Sequence, residues 1–259
     1  LKHIGALKPD RLVDLLNWIG IPLALLYIAS MFVYPWFDKG WDWGLVQNVW
    51  DRWQSLNVGM LAFVSSIIAF NIARFNANKQ RERDFQATKA FLPAALAELL
   101  DYLKLSAAAL VEGWDANGTQ PLSTEAPMLP DEYKEIFQQC IRCAKPDVGD
   151  YLSKILVRLQ IHNSRIRGYV ENYKSSELAD PDRHNILTYL YRLGELQALI
   201  GKLFGFARNE EEFNNAPLEW EDFRNAFGNL DIWVEDYRID ETMNLEDFTK
   251  RAIARSENT

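Results

Sequence analysis

Groups able to do acid–base or nucleophilic chemistry are scarce in this chain, which has three histidines, His3, His162 and His184, and two cysteines, Cys140 and Cys143, among 259 residues. His162 is the one to weigh first. It takes an apolar position in a helical row, four residues after Arg158 and directly before Asn163. With Glu195 brought in from a later helix, Arg158, His162 and Glu195 could line a pocket in which an imidazole moves a proton beside a guanidinium. The competing role, a hydrogen-bonded core histidine, is commoner at such a position and is the one expected here. His184 falls in the first turn of its helix, where a polar residue is ordinary, and His3 in the N-terminal tail.

Other arrangements are weaker still. All-helical ribonucleases of the HEPN class place four to six residues between their Arg and His, whereas only Leu159, Gln160 and Ile161 intervene here. Glu98 and Asp101 could meet Glu195 as metal ligands, but no Glu-x-x-His joins them, so surface charges are expected and no metal. Cys140 and Cys143 form a lone C-x-x-C in EIFQQCIRCAK. It lacks the second half of a zinc site, and its helical surroundings lack the strand of a redox fold, so small core residues are expected. The phosphate loop, the dinucleotide fingerprint and the nucleophile elbow are all missing. No catalytic residue and no cofactor are therefore predicted.

The elements that would position these groups are helices. Leu92, Leu96, Leu99, Leu103 and Leu110 recur at steps of four and three, with Ser106 in the one gap. After the turn-rich GWDANGTQPLSTEAPML, a short helix is predicted from Pro130 to Ala144. Val148, Leu152, Ile155, Leu159, His162, Ile166, Tyr169 and Tyr173 then keep the same spacing, the mark of a one-faced helix. Another helix begins at Asp180-Pro181-Asp182 and carries Ile186, Leu190, Leu193, Ile200 and Phe204 beside Leu196, Leu199 and Leu203. Long helices with short breaks predict an all-α fold, an antiparallel helical bundle over 74–208 with almost no sheet. The remainder, 209–259, is acidic and studded with Phe213, Trp220, Phe223, Phe227 and Trp233. It is expected to dock on the bundle.

The N-terminal part is different in kind. No charge interrupts Leu15 to Phe37 or Trp53 to Ala73. At ~1.5 Å per residue these runs reach roughly 34 and 31 Å, against about 30 Å for the hydrocarbon core of a bilayer. They predict a two-helix transmembrane hairpin, with spans 15–37 and 53–73. A cleaved signal peptide fits less well, because its apolar region is shorter. Lys2, Lys8 and Arg11 precede the first span, while Arg74, Lys79, Arg81 and Arg83 follow the second. Positive flanks favour the cytoplasmic side, so both termini, 1–14 included, are expected there and the 38–52 loop outside. In a bacterium this is the inner membrane.

Trp36, Trp41, Trp43, Trp50 and Trp53 crowd the loop and its edges, where indoles anchor at the lipid–water interface. Val46, Val49, Trp50 and Trp53 have the spacing of a short amphipathic helix lying on the outer face. Arg74, Lys79, Arg81 and Arg83 mark the inner interface. Pro35 is expected to end the first span, and the second to continue as one helix into the cytoplasm, bent at Pro93. Ser65, Ala69 and Ala73 are small and four apart, a stripe that lets another helix approach, with Gly20 and Ala24 of the first span the nearest partner and a second copy of the chain the next. Asn57 and Asn71 are the polar members of the second span.

The run NKQRERDFQATKAFLPAALAELLDYL resembles the juxtamembrane motif of an uncharacterised bacterial family of small proteins with two N-terminal spans, through Gln80-Arg81, Arg83, Ala90-Phe91-Leu92-Pro93 and Tyr102. The layout is similar to that of membrane effectors of anti-phage and retron systems. The resemblance implies an effector whose bundle meets a protein partner or signal and whose spans, in a homo-oligomer, anchor or disturb the lipid bilayer. The alternative is a membrane-tethered hydrolase or nuclease with its site in the bundle. A net charge of −8 disfavours direct nucleic acid binding.

Overall fold

A computed structural model describes residues 9–38, 41–116, 120–175, 183–241 and 243–256. Their regular structure is helical apart from one small hairpin, with loops over 120–131 and 208–219. The chain divides into two compact units, Leu1–Gln80 and Arg81–Thr259.

In the first unit, α1 (Pro9–Ile28) opens on a proline, whose missing N–H costs nothing at a first helical position. It widens into a π-helical turn at Ala29–Val33 and continues as α2 (Tyr34–Asp38). Pro35 thus does not end the helix, as its sequence suggests it should. Proline gives no N–H to the carbonyl four residues back, that of Met31, and its ring crowds that oxygen. The π turn lies at this place, and the indole of Trp50 donates to the Met31 carbonyl at 3.0 Å. Next come α3 (Trp43–Arg52), capped by the Asp42 carboxylate accepting from the Gly44 N–H at 2.9 Å, and α4 (Gln54–Lys89).

The contacts of α1 with α4 run in opposite chain senses. Asn17 and Asn71 exchange two amide hydrogen bonds of 3.0 Å, and the Tyr27 hydroxyl donates to Asn57. On α4, Asn57, Met60, Val64, Ile67 and Asn71 are half-buried, at steps of three and four, whereas Ser65, Ala69 and Ala73 are exposed. The small-residue stripe therefore does not face α1. Gly20 is buried against Ile67, with Ala24 half-buried on the same row, but their counterparts are the Asn-ended seam. The two asparagines fix the rotation of α4, because an amide turned away from its partner would lose its hydrogen bonds. The stretches Asn17–Phe37 and Gln54–Lys89 are long and apolar enough to cross a membrane.

In the second unit, α4 closes at Lys89 and α5 (Leu92–Ala116) begins after a turn at Ala90 and Phe91. The expected bend is thus a break, and Pro93 explains it. Its absent N–H would have served the Lys89 carbonyl, while in the first turn of α5 it is tolerated. α6 (Glu132–Cys143), α7 (Pro146–Ser175), α8 (Arg183–Gly201) and α9 (Leu203–Ala207) follow. The predicted start at Asp180-Pro181-Asp182 lies outside the described residues.

The leucine row of α5 and the apolar rows of α7 and α8 fill the core, with Phe204 packed at its edge. Ser106 is fully buried and donates to the Tyr102 carbonyl at 3.0 Å, which satisfies a hydroxyl that would otherwise be costly inside. α7 meets α8 in opposite chain sense, Tyr151 beside Leu199 and Arg158 beside Glu195. α5 meets α7 in the same sense, Tyr102 beside Asn163 and Gly113 beside Tyr169, since α6 intervenes in the chain. The acidic aromatic segment packs on this core. α10 (Trp220–Asn229) buries Phe223 and Phe227 against it, and Trp233 stays exposed. A hairpin of β1 (Arg238–Asp240) and β2 (Met243–Asn244) leads into α11 (Leu245–Ser256).

Candidate functional site

The second unit carries a cleft of about 270 Å³ whose walls come from four helices and one loop. α7 supplies Tyr151, Lys154 and Arg158, at steps of three and four, and α8 supplies Tyr191, Glu195 and Leu199, at steps of four, so each presents residues of one face. Phe223 of α10, Ile253 of α11 and the 215–218 loop complete it. α10 is held there by a capping box between Glu219 and Asp222, and the Lys202 ammonium reaches Asp222 at 3.2 Å.

Glu195 is the electrostatic centre. It sits in the buried run of α8, which is apolar but for itself and Gln197, and is only 8% exposed. Its two oxygens accept from Arg158, at 2.8 Å, and from Arg192, at 2.9 Å. A buried carboxylate needs such partners, because desolvation of an unpaired charge costs several kcal/mol. The guanidinium of Arg192 also lies 5.2 Å from the Tyr191 ring, which stacks on Phe223 at 5.5 Å and 11°. Lys154 stands one turn from Arg158; burial and the neighbouring guanidinium hold its pKa below the usual lysine value, and Glu195 acts in the other direction. Burial raises the phenol pKa values of Tyr151 and Tyr191.

Of the three residues considered for a sequence-level pocket, the structure brings Arg158 and Glu195 together and leaves His162 apart. His162 is buried, edge-on to Tyr102 with ring centres 5.9 Å apart, and its Nε2 has no hydrogen-bond partner among the described residues. Burial, followed by the nearby charge of Arg165, pulls its pKa from 6.5 down to about 4. It is neutral at pH 7. Because the folded value lies below the unfolded one, the stability it contributes is complete above pH 6.5 and is lost as the pH falls towards 4. The difference amounts to about 3 kcal/mol at most. His162→Leu is expected to lose fewer degrees of Tm than the wild type between pH 7 and 4.5; equal losses in thermal unfolding would contradict this.

The cysteines lie in the last turn of α6, Cys140 buried and Cys143 half-buried. Both thiols are free, and burial pushes Cys140 up to about 11, away from the reactive thiolate. Glu98 is half-buried and Asp101 exposed, and among the described residues no three His, Cys, Asp or Glu side chains gather as metal ligands. Arg81, placed by the sequence at the inner interface, donates to the carbonyls of Cys143 and Ala144, at 3.1 and 2.5 Å. It thus satisfies the orphan carbonyls that end α6. Lys79 and Arg83 are exposed on α4 and Arg74 is half-buried.

The tryptophans form a chain of ring contacts. Trp36 touches Trp41 at 5.4 Å and Trp43 at 5.6 Å, and Trp43 touches Trp50 at 5.9 Å. Trp41 takes a left-handed φ of 68°, unusual for so large a residue, to reach Trp36. Trp41, Trp43 and Trp53 are exposed, so the rings pack on one another and offer their outer edges rather than enclosing a space.

Comparison of the chain with protein-family models, with curated proteins and with solved structures finds no match. The functional reading therefore rests on the residues. Lys154 and Tyr191 were not singled out in the sequence, and Phe223 only as one of the aromatic residues of the acidic segment. The signal that could have found them is Glu195 itself, an acid inside an apolar run, which demands cations from whichever helix it faces.

Proposed function

We propose that this chain is an integral membrane protein in which α1 to α2 and the first part of α4 form a transmembrane hairpin, and a cytoplasmic antiparallel bundle receives a partner or signal. One observation carries it: of the most apolar windows of the two long helices, only 11% and 0% of residues are buried. A core helix of a water-soluble protein of this hydropathy would be covered, since contiguous apolar surface of such extent is unfavourable in water. The exposed indoles beside it match an interfacial belt, and the basic flanks favour cytoplasmic termini in a bacterial inner membrane.

The effector role drawn from the resemblance is the version of this proposal in which a response in the bundle alters the spans, alone or in a homo-oligomer. A tethered hydrolase gains no support from the cleft. Glu195 has one oxygen on each of two guanidinium groups, which leaves neither oxygen without a partner, and His162 lies elsewhere.

Membranes from cells producing the chain test the proposal. The protein is expected to stay in the pellet after alkaline carbonate extraction. A Gln47→Cys variant is expected to react with a membrane-impermeant maleimide on intact cells, while the native thiols do not. Recovery in the carbonate supernatant would overturn the membrane reading, and an unreactive Gln47→Cys would overturn the orientation.

A further inference from the structure

We infer that the cleft between α7, α8 and α10 binds a small organic anion, a phosphate or carboxylate group joined to a flat apolar body. This deepens the proposal that the bundle receives a signal, by naming the chemical class of that signal.

Charge is the first reason. Lys154 and Arg158 line the cleft with a single carboxylate, Glu195, which Arg192 also meets from beside it, so the wall is net positive in a chain of net charge −8. Glu195 takes one contact from each arginine, and a guanidinium has five N–H donors in a planar fork, so both retain directed donors after pairing. Glu195 thereby fixes the arginines without consuming their capacity, as a supporting carboxylate does at an anion site. Lys154 adds a point charge one turn away on the same face of α7.

Shape is the second reason. Tyr191 and Phe223, stacked on each other, put aromatic carbon in the lining beside the cations, which favours a flat apolar body over a purely polar ligand. At about 270 Å³ the cleft is near the lower end of the range for small-molecule sites, about 300–1,000 Å³, so the ligand has one ring or a body of similar size.

Phenyl phosphate, phenol and inorganic phosphate separate these contributions, added to the full chain in detergent micelles and followed by calorimetric titration. Phenyl phosphate is expected to bind saturably and to weaken as salt is raised. Phosphate should bind more weakly, and phenol not at all. Lys154→Met is expected to weaken phenyl phosphate by about tenfold, the usual consequence of losing one charge-assisted hydrogen bond, while Lys134→Met on exposed α6 has no effect. Failure of all anions to bind to folded protein overturns the inference, as does binding unchanged by Lys154→Met. Phenol binding as well as phenyl phosphate overturns the anionic part, and phosphate binding equally well overturns the flat body. Carbonate extraction of the same preparations reads the membrane proposal separately, so either can fail alone.

Discussion

Gly194→Leu is expected to lower the melting temperature of the bundle by several degrees, and Gly194→Ala by less. Gly194 lies in α8 where α10 crosses it, and a Cβ added there would meet the Phe227 ring at 2.5 and 2.8 Å. That ring is 1% exposed and cannot swing into solvent. Overpacking of this kind costs about 1–3 kcal/mol. In a domain of this size each kcal/mol corresponds to roughly 2–4 °C. The alanine variant is the more informative of the two, because alanine in a helix interior ordinarily gains about 0.5–1 kcal/mol over glycine. A rise in Tm for Gly194→Ala would show that α10 is not pressed against α8 as described. Phe223 lies one turn before Phe227 and walls the cleft, so Gly194→Leu should also weaken phenyl phosphate binding. Lys154→Met, by contrast, removes a cation that makes no hydrogen bond or ion pair among the described residues and should leave Tm unchanged.

The rows of α5, α7 and α8 were legible because each helix buries one face and the period of the chain writes that face into the sequence. Even the exceptions could be read: Ser106 and His162 hold positions in the apolar rows, and both are buried there. What could not be read is the rotation of one helix against another. The stripe Ser65, Ala69 and Ala73 and the seam from Asn57 to Asn71 lie on different sides of α4, and sequence spacing alone does not say which one meets α1. Reciprocal amide bonds decide it. The π turn was hidden for a similar reason. Pro35 announces a missing donor, but that the indole of Trp50 supplies one is a fact of tertiary structure.

The candidate site was half legible. Arg158 and Glu195 were named together from the sequence, with His162 as the supposed centre of the chemistry. One turn of helix separates Arg158 from His162, and that displacement of about 6 Å along α7 is enough to put the imidazole against Tyr102 while the guanidinium reaches Glu195. The aromatic wall comes from the acidic segment, where Phe223 is one of several aromatic residues with nothing local to distinguish it.

Leu61→Arg is expected to prevent stable insertion, shifting most of the chain from the carbonate pellet to the supernatant or to degradation. Leu61 lies near the middle of the apolar part of α4 and is 60% exposed. Its exposure makes the two environments give opposite answers. On a helix facing water, such a substitution removes no packing and changes stability by no more than about 0.5 kcal/mol. At the centre of a bilayer an arginine costs about 2.5–3.5 kcal/mol, on the order of a hundredfold in the insertion equilibrium. Leu61→Ala keeps the position uncharged and should remain in the pellet, which separates the charge from loss of the side chain. Asn57 and Asn71 are no counterexample to this sensitivity, because their amides hydrogen-bond to Tyr27 and Asn17 and so present little unsatisfied polarity to lipid. An arginine at 61 faces away from that seam and has no such partner within the pair. If Leu61→Arg were extracted from membranes no more readily than the wild type, α4 would have to meet water or another protein at this depth, and the transmembrane hairpin would be the wrong description of its apolar face.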